Sequence, residues 1–178
     1  VEKNKILGRK IKKNNLILAV PSNGVHSNGY SLIRKIIENK KINLNNNNFL
    51  KKELIRPTKI YVNEVIKLID KNIINGCANI TGGGLKDNLG RVIPKKLCAE
   101  IELNKINILK IFKWIKSCGI KENEMLKTFN CGVGFCLIID SKHLKKVKKC
   151  FSKKFKPYVI GKISTSSKRV NLSGKINW

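Results

Sequence analysis

Three consecutive glycines, Gly82, Gly83 and Gly84, follow a short apolar run at residues 77–80 and precede a candidate helix carrying Asn88 and Arg91. Glycine loses the most conformational freedom on folding, so a triplet is costly unless the backbone needs positive φ or a close approach. A strand that runs through such a triplet into a helix meets both needs. It gathers main-chain N–H groups at a helix start with no Cβ in the way, and an anion such as phosphate is favoured there. Thr81 adds a hydroxyl and Arg91 a full charge. A tight strand-to-helix turn with no ligand satisfies the same residues. The stretch has neither the GK[ST] of a Walker loop nor the spacing of a dinucleotide fingerprint.

A similar junction lies upstream. Residues 16–20, LILAV, form an apolar run short enough for a buried strand. PSNGVHSNGYSL follows, with His26 in its centre, one of two histidines in the chain. Leu32, Ile33, Ile36 and Ile37 then recur at helical spacing over residues 30–39, with Ser27 or Asn28 placed to cap the helix. His26 is either a functional group in a strand-to-helix loop or an exposed loop histidine. A third glycine stretch, TFNCGVGFCLIID, sets Asn130, Gly132 and Gly134 just before an apolar strand. Alternating Gly132, Val133 and Gly134 leave one sheet face bare, open to a ligand or another backbone. A bulge is the plainer alternative.

The other elements follow from periodicity. Residues 58–71 and 108–117 read as amphipathic helices, and 143–151 as a basic helix with His143 on its surface. Residues 97–103, LCAEIEL, alternate as a half-buried strand does, and 158–164 and 169–172 read as closing strands. Residues 40–49, with Asn45 to Asn48, read as a mobile polar connector. Residues 1–15 read as a linker arm, and 16–178 as one domain. Strands and helices interleave without a clean βαβ repeat, so the expected class is α+β, a mixed β-sheet flanked by helices.

The net charge of +27 invites a nucleic-acid reading. Its make-up argues otherwise. The chain has 33 Lys but 5 Arg, with 22 Asn and 26 Ile spread throughout, as an AT-rich coding bias would spread them. Arginine, the better fork for guanine and phosphate, is the scarce cation. A basic nucleic-acid-binding module therefore stays the alternative, and no specific nucleic acid is expected. Six cysteines at wide spacing, with no CxxC, read as reduced thiols rather than a disulfide frame or a metal site. No apolar run reaches 18 residues and no secretory pattern opens the chain, so no membrane is expected and the cytoplasm is.

The words PSNGVHSNGYSLIRKI, RPTKIYV, NITGGGLKDNLGRVIP and EMLKTFNCGVGF, in this order, closely resemble one family. It is aminoimidazole ribonucleotide synthetase, or phosphoribosylformylglycinamidine cyclo-ligase. The resemblance implies a ligase forming a C–N bond in purine biosynthesis: the ATP-dependent ring closure of formylglycinamidine ribonucleotide. It implies that this chain is the C-terminal, substrate-side domain. ATP and Mg2+ would be held mainly by an N-terminal half, through which the whole enzyme forms a homodimer. It implies a catalytic role for His26 and substrate contacts from Ser27, Asn28, Thr81, Gly82, Gly83, Gly84, Asn88, Arg91 and Asn130, with no metal ligand in this chain. Two positions depart from the family: Asp87 stands where Glu is usual and Gly90 where Pro is usual. An inactive fragment is the remaining alternative.

Overall fold

The computed structural model describes residue 8 and residues 10–178. Six strands form one sheet in the order β2-β4-β1-β5-β3-β6. In chain order they are β1 Leu16–Pro21, β2 Ile74–Asn79, β3 Leu97–Glu102, β4 Val133–Ile139, β5 Tyr158–Thr165 and β6 Val170–Ser173. Every neighbouring pair is antiparallel except β3 and β6. The sheet is therefore mixed, and the α+β class expected from the sequence is what the chain adopts.

Among the described residues seven α-helices flank it: α1 Tyr30–Asn39, α2 Asn48–Leu54, α3 Val62–Asp70, α4 Gly84–Val92, α5 Lys110–Ser117, α6 Glu122–Thr128 and α7 Leu144–Lys149. On one face, Ile17 and Ala19 of β1 and Cys136 and Ile138 of β4 join a core with Ile33, Leu89, Phe112 and Met125. On the other, Leu18 and Val20 of β1 and Leu137 and Ile139 of β4 pack with Val65, Leu68 and Val147. Burial on both faces is why these two central strands are apolar without alternation. At β3 the far face carries Glu100 instead, held by Ser164 Oγ at 2.9 Å and Asn171 Nδ2 at 2.7 Å.

Several local expectations change. The expected cap of α1 by Ser27 or Asn28 does not form: Gly29, in the left-handed region at φ 85°, occupies the N-cap position with no side-chain bond. Residues 58–61 are not the first turn of α3 but a strap outside the helix, where the Lys59 N–H is taken by Asn23 Oδ1 at 3.2 Å. The asparagine run also starts a helix. The Asn47 side chain accepts from the Leu50 N–H and starts α2, which buries Leu50. Residues 1–7 and 9 of the linker arm lie outside the described residues; Ile11 is buried in the first core, and Asn14 and Asn15 exchange main-chain bonds with Ile163. Among the described residues all six cysteines are free, and no helix is long and apolar enough to cross a membrane.

Candidate functional site

Strand register builds the site. Pro21 at the end of β1 pairs with Val133 at the start of β4, and Asn79 at the end of β2 pairs with Phe135. The three glycine-bearing loops therefore leave the sheet at the same end. Main-chain bonds extend the pairing beyond the strands: Ser22 N–H to Gly132 O at 2.9 Å and Ile80 N–H to Gly134 O at 3.0 Å.

Asn130 holds two of these loops together. Its Nδ2 donates to Gly24 O at 3.0 Å and Val25 O at 3.1 Å, and its Oδ1 accepts from Ser22 Oγ and Gly132 N–H, each at 2.9 Å. The amide is buried with its hydrogen-bonding capacity used internally. Its place is to position the loop that carries His26.

His26 is buried at φ 61°, and its Nε2 lies 2.9 Å from Asn23 Oδ1. Asn23 is itself pinned, Nδ2 donating to Pro57 O at 2.8 Å and Oδ1 accepting from Lys59 N–H. That network assigns Oδ1 as the acceptor, so Nε2 carries the ring proton. Nδ1, with no protein partner among the described residues, keeps its lone pair. The ring lies beside Tyr61, centroids 6.1 Å apart, and the Tyr61 hydroxyl donates to Pro21 O at 2.9 Å. Gly134 makes room for both. A Cβ there would sit 1.8 Å from the Tyr61 hydroxyl and 2.8 Å from His26 Cε1. The bare sheet face expected at Gly134 is thus filled by two side chains of the same protein.

Burial pushes the His26 pKa from 6.5 down to about 4. The unfolded chain takes up this proton near pH 6.5, the folded chain only near pH 4. Between those values the unfolded state binds more protons, so acid destabilises the fold, and the loss stops growing below about pH 4. Nitrogen NMR of the imidazole is expected to show the Nε2–H tautomer at pH 7 and a depressed titration. Asn23→Asp, which sets a carboxylate on Nε2, is expected to raise that pKa. An Nδ1–H tautomer, or titration near 6.5 in the native chain, would overturn this assignment.

The glycine triplet divides its labour. Gly83 and Gly84 sit at φ 91° and 60°, and a Cβ on Gly84 would lie 1.8 Å from Leu126 O of α6. Their N–H groups are engaged by Lys127 O at 2.9 Å and Thr81 O at 3.1 Å. These two glycines are explained by the turn and its packing. Asn88 points inward and clasps the loop, its Nδ2 donating to the carbonyls of Thr81, Gly82 and Gly84 while Thr81 Oγ1 donates to its Oδ1 at 3.1 Å. Gly82 is the exception: it is exposed, and a Cβ there would meet only Asn28 Oδ1 at 3.5 Å. Among the described residues, the N–H groups of Gly82, Leu85 and Lys86 at the start of α4 have no main-chain partner.

Of the residues singled out from the sequence, the fold brings together His26, Ser27, Asn28, Thr81 and Gly82 as the loop-end group. Asn88 and Asn130 stand behind them. Arg91 is not with them. It lies seven residues along α4 from Gly84, roughly 10 Å of helix rise away, and lines a different cavity. Asn23, Ser22 and Tyr61 went unmarked in the sequence, although all lie inside or beside the quoted words. Ser27 Oγ pairs with Thr58 Oγ1 of the strap at 3.2 Å.

Residues 12–172 match the family model described as AIR synthase related protein, C-terminal domain. The chain is 42% identical over 173 residues to the phosphoribosylformylglycinamidine cyclo-ligase of Clostridium perfringens, covering 96% of this chain and 52% of that protein. It thus spans about half the length of the curated cyclo-ligases it matches. Among solved structures, the thiamine-monophosphate kinase of Stenotrophomonas maltophilia superposes with a TM-score of 0.64 at 13% identity, over 96% of this chain and 53% of that one. Thermotoga maritima PurL complexed with ADP superposes at 0.57 and 9% identity, over all of this chain and 26% of that one. At such identities these two show a shared fold.

Proposed function

The chain belongs to the AIR synthase related family, whose C-terminal domain it carries, and from that premise we propose that it is the substrate-side domain of a phosphoribosylformylglycinamidine cyclo-ligase. The observation that carries this reading is the convergence of the three loops at one end of the sheet around a buried, neutral histidine. The substrate is formylglycinamidine ribonucleotide. When bound, ATP with Mg2+ would supply the phosphoryl group that activates its amide oxygen. Among the described residues no three His, Cys, Asp or Glu side chains gather, and no residue of this chain is assigned to the metal. An N-terminal half of the same enzyme supplies those contacts and the homodimer.

This chain's own residues bind and position. His26 Nδ1, an acceptor at neutral pH, takes the proton from the amidine nitrogen as that nitrogen bonds to the activated amide carbon, the C–O bond to the phosphoryl group breaks and inorganic phosphate leaves. Asn28, Ser27, Thr81 and the unpartnered N–H groups at Gly82, Leu85 and Lys86 receive the ribose phosphate at the start of α4. The partner half docks beside the loops. Ile55, Ile60, Val62 and Ile66 are exposed there at 80, 75, 54 and 46%. An apolar cavity of about 280 Å³ opens between Ile60, Tyr61 and Phe135. Such a patch on a charged surface marks a contact. The place of action is the cytoplasm.

The test is a chimera joining this chain to the N-terminal half of the Clostridium perfringens cyclo-ligase. ATP-dependent formation of aminoimidazole ribonucleotide is expected from the chimera and not from the chain alone. His26→Ala in the chimera is expected to lower turnover by ~10²-fold. A folded but inert chimera, or activity of the isolated chain, would sink the proposal.

A further inference from the structure

Away from the loop end, the outer face of α4 and the edge strand β6 enclose a cavity of about 850 Å³. That lies within the roughly 300–1,000 Å³ usual for small-molecule sites. Neither His26 nor Asn28 reaches it. Lys86 and Arg91 of α4 face Lys168 and Arg169 across it, with Asp87 the single carboxylate on the lining among the described residues. A second cavity of about 390 Å³ shares Lys86, Asp87 and Leu172 and continues the groove toward Gly83.

Lysine is so abundant that a lysine here says little. Arginine is scarce, and two of the five in the chain line this one groove. Arg169 is fixed across the rim, its Nη1 donating to Gly90 O at 3.1 Å. Arg91 makes no hydrogen bond or ion pair among the described residues, so its fork is free. Gly90 is the second observation. It lies inside α4, where glycine weakens a helix relative to alanine. It has no positive φ, and a Cβ there would meet nothing nearer than Val170 Cγ2 at 3.9 Å. Neither backbone strain nor crowding calls for glycine at this position. What its missing side chain does is deepen the groove over Val170 and Leu172.

We propose that the groove between α4 and β6 is a nucleotide site separate from the ring-closing site, binding a nucleoside diphosphate. The two guanidiniums hold the phosphates by charge-assisted, forked hydrogen bonds, with the Lys168 ammonium beside them. The base lies on the apolar floor of Val170, Leu172 and the Gly90 backbone. This inference goes beyond the cyclo-ligase reading and does not depend on it.

Calorimetric titration of the chain with ADP and with inorganic pyrophosphate, at about 150 mM salt to screen loose electrostatics, tests it. ADP is expected to saturate with a Kd below about 1 mM and to bind at least about threefold tighter than pyrophosphate. Arg91→Ala is expected to weaken ADP by about tenfold or more. Gly90→Leu keeps every charge and favours helix, so it folds, and it is expected to weaken ADP as much by filling the floor. Lys148→Ala, a charge-matched control on α7, is expected to change affinity by less than about twofold. Failure to saturate, equal binding of pyrophosphate and ADP, or equal loss with Lys148→Ala would each overturn the proposal. So would displacement of ADP by single-stranded RNA whose own binding survives Gly90→Leu, because that result describes a surface for polyanions.

Discussion

Asn130→Ala is expected to lower the unfolding free energy by about 3–5 kcal/mol, a large share of the roughly 5–15 kcal/mol that holds a domain together. The truncation strips the donor from the buried Gly24 and Val25 carbonyls and the acceptor from Ser22 Oγ and the Gly132 N–H. Water has little access, since Asn130 and Ser22 are both buried. The loop carrying His26 loses its anchor to β4, so the site is expected to fail with the fold. Urea denaturation with tryptophan fluorescence measures the loss. Asn130→Asp sharpens the test: it keeps the acceptor toward Ser22 and Gly132 but aims a carboxylate at two carbonyls. Its stability is expected to recover partly in mild acid, where the carboxyl protonates and regains a donor. A loss below about 1 kcal/mol for the alanine variant would show that these bonds do not organise the loop.

Gly134→Ala is the second large effect. One methyl group would be placed 1.8 Å from the Tyr61 hydroxyl and 2.8 Å from His26 Cε1. Strand β4 cannot retreat, because it is paired on both sides, with β1 and with β2. The side chains must give way. Tyr61 then loses its bond to Pro21 O, and the strap over residues 58–61 lifts from Asn23. Overpacking of this kind costs about 1–3 kcal/mol, and the displaced ring adds its lost burial. Released into solvent, His26 is expected to titrate closer to 6.5, an upward shift that NMR reads directly. Tyr61→Phe removes the atom in closest conflict. The double variant is therefore expected to be more stable than the sum of its parts, and strict additivity would mean that the clash is not with Tyr61.

Both predictions rest on residues whose importance the sequence shows only in part. Gly134 stands out because it interrupts an apolar strand, but what fills the space above it does not. Asn130 stands out beside two glycines, yet it reads there as a ligand for substrate, and the fold uses it as a brace. Asn23 and Tyr61 lie inside the most telling words of the chain and attract no notice. Asn88 and Arg91 share a helix, and nothing local says that one turns inward to the glycine loop while the other faces a separate groove.

By itself the sequence determined the class of fold, the central strands β1 and β4, helix α1, the three glycine-bearing loops and the family they mark. Each is a local quantity: apolar runs, a 3.6-residue period, or a residue whose backbone freedom is unusual. Tertiary structure alone decided which polar side chains reach outward and which are spent on the frame. Three of the four bonds of the Asn130 side chain reach partners more than 100 residues away, and Asn23 ties His26, three residues on, to Pro57 and Lys59, more than 30 away. The long-range bonds of Asn130 exist only once the register of β1 against β4 brings the loop ends together, and those of Asn23 once the strap before α3 closes over its loop. A buried amide must take whatever donors and acceptors that register presents, because leaving them unpaired away from water costs more than any local preference.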